Sequence, residues 1–105
     1  MKSRFTLLGA KGLKVPEAAE LAGAALKIGL DLRESSYKGG EYFLHRYIDG
    51  AEISIEGNVR DEDGVLTESE FPEYSTLIYL NYSRSELEES LSDVREFDLL
   101  RSEAV

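Results

Sequence analysis

Between residues 30 and 59 the chain alternates apolar and polar side chains with a period of two, and glycine-bearing turns interrupt the alternation twice. Leu30 and Leu32 face one way, with Asp31 and Arg33 facing the other, and Ile53, Ile55 and Val59 alternate with Ser54, Glu56 and Asn58. Helical winding at about 3.6 residues per turn would scatter such a pattern around the axis, whereas a strand gathers it onto one face. Lys38-Gly39-Gly40 and Asp49-Gly50 supply the positive φ angles that tight hairpins need. This stretch predicts three antiparallel strands in a meander, over residues 30–36, 41–48 and 52–59, the last half-buried with its polar side chains outward.

The rest of the chain must pack on that meander. Residues 2–9 alternate weakly around Phe5 and Leu7 and predict a first strand. Pro16 suits the first turn of a helix, and Ala18, Leu21, Ala22, Ala25, Leu26 and Ile28 fall along one side of it, with Gly29 as its stop. Residues 75–82 (STLIYLNY) are apolar on both faces and predict a central, covered strand. Ser83 or Ser85 can cap a second helix, whose early Glu86, Glu88 and Glu89 suit the helix dipole and whose buried stripe is Leu87, Leu91 and Val94. A last strand follows over residues 97–101. The expected fold is a single α+β domain over residues 1–105, a two-layer sandwich of five to six mostly antiparallel strands and two helices in the order β-α-β-β-β-β-α-β. A short echo, LAGAALKIGLDLRES against LEESLSDVREFDLLRS, supports two β-α-β units flanking a hairpin, as in ferredoxin-like plans.

Charge narrows the partners. The 105 residues carry a formal net charge of −9, and residues 34–105 hold eighteen acidic against six basic side chains, leaving residues 1–33 at +3. Such a field repels phosphate backbones and anionic membranes and attracts basic surfaces. With no cysteine there are no disulfides, thiolate zinc sites or thiol nucleophiles. The apolar run near the N-terminus, residues 5–10, is too short for a signal sequence or a membrane span, so a soluble, cytoplasmic protein is expected.

The acid is concentrated in residues 58–74, NVRDEDGVLTESEFPEY, between two expected strands. Setting Gly64 at the sixth position of a calcium loop puts Asp61, Asp63 and Glu70 at ligand positions, but Val59 then occupies the first, where it cannot coordinate. No metal or cofactor is expected. Phosphate-binding and nucleophile-elbow spacings are absent too. The single histidine, His45, shares a strand face with Phe43 and Tyr47 and is the one residue around which a small enzyme could be built. Tyrosine is a favoured interface residue, and carboxylates around aromatic anchors speed capture of a basic partner. Asp61, Glu62, Asp63, Glu68, Glu70, Phe71, Glu73 and Tyr74, with Tyr37 and Tyr42 nearby, are therefore the expected partner-binding residues.

A small, cysteine-free, strongly acidic α+β chain without catalytic spacing resembles the immunity proteins of bacterial polymorphic toxin and contact-dependent growth inhibition systems. SSYKGGEYF, DEDG and FPEYSTLIYL are similar to segments of small bacterial proteins of that kind. The resemblance implies a protein that binds a cognate toxin, commonly a basic nuclease, and covers or distorts its active site; separately, a monomer or homodimer is expected. A regulatory or assembly module acting through protein contacts is the other expectation.

Overall fold

The computed structural model describes residues 4–36 and 40–104. Its elements run β1 (Arg4–Ala10), α1 (Val15–Leu26), β2 (Asp31–Ser35), β3 (Gly40–Arg46), β4 (Glu52–Gly57), β5 (Thr76–Ser83), α2 (Ser85–Ser92) and β6 (Phe97–Ala104). They form one six-stranded sheet in the order β2-β3-β4-β5-β1-β6, with every neighbouring pair antiparallel. This is the expected α+β architecture and element order. The meander is present as β2-β3-β4, and STLIYLNY lies inside the sheet between β4 and β1. The echo between the two helical units stops at element order, since β3, β4 and β5 separate β1 from β2 while only β1 separates β5 from β6.

Both helices pack on one sheet face. Leu8, Ala10, Ile53, Ile55, Ile78 and Leu80 meet Ala18, Ala19, Ala22, Leu87 and Leu91 there in the larger core cluster. Each fully buried Leu or Ile contributes roughly 1.5–3 kcal/mol through removal from water. Helix α1 starts at Val15 with Pro16 in its first turn, and the Glu17 carboxylate accepts a hydrogen bond from the backbone N–H of Lys14. It ends earlier than expected, with Lys27 in the left-handed region at φ 57°, so Ile28 and Gly29 belong to the turn into β2. Neither Ser83 nor Ser85 caps α2: Arg84 is the residue before the helix, Ser83 is buried at the end of β5, and Ser85 is already helical.

The opposite face carries a second, smaller cluster of Leu7, Tyr74 and Leu77, with Phe71, Tyr79 and Leu100 packed against it. Strand β4 is consequently buried on both sides. Ser54 and Glu56, expected to face solvent, are 4% and 5% exposed. They sit in an interior strand whose following segment folds back under the sheet. Two irregularities serve this face. Opposite Arg4 and Thr6, strand β5 carries an extra residue, and Tyr82 takes φ 55°, a bulge that leaves its ring exposed and edge-on to Phe5. Strand β6 bulges between the partners of Leu7 and Leu8, which turns Leu100 inward, and it runs on to Ala104, beyond the expected end at residue 101.

Candidate functional site

Residues 58–74 divide into a base that is tied to the sheet and a tip that stands off it. Asn58 organises the base. Its Nδ2 donates to the carbonyl oxygens of Glu68, Phe71 and Tyr74 at 3.3, 3.0 and 3.1 Å, and its Oδ1 accepts from the Glu68 N–H at 2.9 Å. One amide thus serves four backbone groups of irregular chain, two of which, the Glu68 and Phe71 carbonyls, also accept backbone N–H groups. Between those points the chain makes successive turns, with the Phe71 N–H bonding the Glu68 carbonyl and the Tyr74 N–H the Phe71 carbonyl.

The side chains of the base turn inward. The Tyr74 ring lies flat on Gly9, where a Cβ would come within 2.6 Å of it, so only glycine admits this close approach. Its hydroxyl donates to Asp98 at 2.9 Å, and the Lys11 ammonium sits 5.1 Å from the ring centroid. Phe71 packs edge-on against Tyr74 and beneath the Arg101 guanidinium. Glu68 accepts from the Tyr79 hydroxyl at 2.6 Å and from Arg101 at 3.0 Å, with its side chain only 16% exposed. Burial first, then the hydrogen bond to Glu68 and the Glu68 charge, hold the Tyr79 phenol far above its ordinary ionisation range. The hydrogen bond to Glu68 likewise raises Arg101.

The tip is a small hairpin. Arg60 bridges Leu66, the Gly64 N–H bonds the Asp61 carbonyl, and Gly64 sits at φ 79°. The Asp61 carboxylate accepts from the N–H groups of Asp63 and Val65, both at 2.9 Å, and Arg60 donates to the Gly64 carbonyl at 2.6 Å. Such an Asx turn fixes the loop without using Glu62 or Asp63. Asp61, Glu62 and Asp63 are exposed, and none has a cationic partner among the described residues. Beside them opens a cleft of about 530 Å³ lined by Ser36, Val59, Arg60, Asp61, Glu62, Asp63 and Thr67. Val59 and Val65 add exposed apolar surface, 37% and 51%.

The residues expected to form one surface therefore occupy two environments. Asp61, Glu62 and Asp63 come together on the tip, and Glu70 and Glu73 are exposed along the base. Glu68, Phe71 and Tyr74 are turned into the second cluster. Tyr42 is half-buried in β3, opposite Arg33 in β2 and on the same sheet face as Leu44, while Tyr37 lies outside the described residues. Reasoning from sequence missed Asn58, Tyr79 and Arg101, the residues that position the stretch. The one available signal was an asparagine at a strand end, where its amide can serve bare backbone.

His45 stands apart, on the helix-bearing face. Its Nδ1 donates to the Gly29 carbonyl at 3.0 Å, which leaves Nε2 as the other functional nitrogen, and its ring meets Tyr47 edge-on at 4.7 Å. Asp49, whose carboxyl is held below its usual range chiefly by the Ala51 N–H, pairs with Arg84 nearby.

No family model matches the chain, no curated protein is significantly similar to it in sequence, and no solved structure is significantly similar to its fold. No helix among the described residues is long and apolar enough to cross a membrane.

Proposed function

We propose that this protein is a stoichiometric binder of a basic protein partner, acting as an immunity protein that neutralises a cognate toxin by covering its active site. The observation that supports the reading is the tip: three exposed carboxylates, Asp61, Glu62 and Asp63, without a cationic partner among the described residues, on a turn already fixed by its own hydrogen bonds. A pre-ordered loop loses little conformational freedom on binding, so its electrostatic attraction is not spent on ordering. The flanking Val59 and Val65 give apolar contact, and the adjoining cleft has room for an arginine or lysine side chain from the partner. On this reading the carboxylates stand in for the nucleic-acid phosphates that a basic nuclease binds.

The test takes basic nuclease domains, including any encoded beside this gene, inactivated at their own active sites, and titrates each with the wild-type protein and with the D61K/D63K double variant. The expected result is tight, 1:1 binding that weakens with salt and falls at least about a hundredfold in the variant, chiefly through the association rate. Binding that ignores both salt and the double variant overturns the assigned surface, and a chain that binds no basic domain overturns the function.

A further inference from the structure

The helix layer is narrower than the sheet it covers. Six strands spaced about 4.8 Å apart span roughly 24–29 Å, whereas two helices, each about 10 Å across, cover roughly 20 Å. Helix α1 lies over β3 and β4, and α2 over β5, β1 and β6, and the helix-side residues of β2, Leu32 and Glu34, are exposed. The strip is apolar at Leu32 and acidic at Glu34. Leu32 is 55% exposed there, directly opposite the half-buried Phe43, and it extends a groove of about 470 Å³ that runs between Leu30 and Phe43 and the outer side of α1, where Ala19, Gly23 and Ala24 form the wall. A groove with small side chains along one wall fits the close approach of another helix.

Its charges select the occupant. Glu20 lines the groove, and Glu34 and Glu41 face each other across β2 and β3, two residues along from Leu32 and Phe43 and so on the same face. Like charges directly opposite on a sheet repel, and neither carboxylate has a cationic partner among the described residues. We infer that this groove is a second interaction surface, separate from the acidic tip, and that it takes an amphipathic helix of a partner, apolar along one stripe and lysine- or arginine-rich beside it.

The probe is a synthetic helix of about sixteen residues, roughly 24 Å long, with a leucine stripe flanked by lysines; a control peptide carries glutamate in place of lysine. Added to the isotope-labelled full chain, the lysine peptide is expected to shift the amide signals of Gly23, Ala24, Leu32 and Phe43 saturably. A24R, at an exposed helix position, and Leu32→Glu, at an exposed strand position, should each weaken it at least about tenfold, and D61K/D63K should leave it unchanged. Circular dichroism establishes that each variant is folded. Shifts confined to residues 61–63, equal binding of the glutamate peptide, or no effect of A24R and Leu32→Glu in folded protein overturn the inference. Self-association whose concentration-dependent shifts fall on the same groove also overturns it, by assigning the surface to a second copy. Loss of the D61K/D63K effect on the basic domain bears on the tip alone.

Discussion

Tip and base of the 58–74 segment share one composition and behave as different materials. At the tip the carboxylates face water and only Asp61 does structural work, through two backbone N–H groups. At the base Glu68 is a buried junction between Tyr79 and Arg101, and two aromatic rings seal the sheet. The difference comes from what each half can reach. The base follows Asn58 and lies over Gly9, where the backbone can be approached closely; the tip closes on itself through Gly64 and the Asp61 turn. A dense run of acid is thus uninformative about role until the partners of each carboxylate are known.

Substitutions should separate the halves sharply. The largest effect is expected from Asn58→Ala, which removes four side chain-to-backbone hydrogen bonds and strands the Tyr74 carbonyl and the Glu68 N–H, and should cost about 2–4 kcal/mol in urea denaturation, at roughly 1–3 kcal/mol per unsatisfied group and less than additively. Gly9→Ala comes next, because its methyl collides with the Tyr74 ring, for about 1–3 kcal/mol, with loss of protection in the amides of residues 68–74 under hydrogen exchange. Glu68→Ala should cost about 1–3 kcal/mol by stranding Tyr79 and Arg101. Asp61→Ala removes two exposed turn bonds, and about 0.5–1.5 kcal/mol is expected. Glu62→Lys at the tip should leave stability within about 0.5 kcal/mol while slowing association with a basic partner. If Glu68→Ala and Glu62→Lys proved equally harmless, the division would fail.

Alkaline pH probes the base and, on the helix-bearing face, Tyr47. Tyr79, Tyr74 and Tyr47 all have folded ionisation ranges above their ordinary value of 10.0: burial is the leading cause for Tyr79 and Tyr47, and the hydrogen bond to Asp98 for Tyr74. A raised folded pKa means the protonated phenol is the form the fold favours. Its stabilisation is complete below pH 10 and is lost as pH rises further, because the unfolded chain ionises first. Thermal melts between pH 9 and about 11.5 should therefore fall steeply in the wild type and less steeply in Tyr79→Phe.

Sequence pattern carried the elements well, because period-two alternation and glycine turns act locally: the meander, both helices and the central place of STLIYLNY are all as expected. What it could not carry was pairing at a distance. Nothing local in RFTLLGA says that β1 inserts between β5 and β6, and nothing in LTESEFPEY marks Glu68, Phe71 and Tyr74 as inward-facing, since each is held by residues far along the chain. The buried Glu56 is the same failure in a single residue: alternation predicted the face correctly but not that the face would be covered.

The place of β1 also sets an order of events. Its register partners all lie between Thr76 and Ala104, so the first strand to be synthesised is the last to find its neighbours. Until then Leu7 and Leu8 wait uncovered, and the meander is the only part able to assemble by itself. Long-range closure of this kind slows folding and prolongs the exposure of strand edges, so nascent chains stalled before Phe97 should be the aggregation-prone species, and release of β6 the step that commits the sheet.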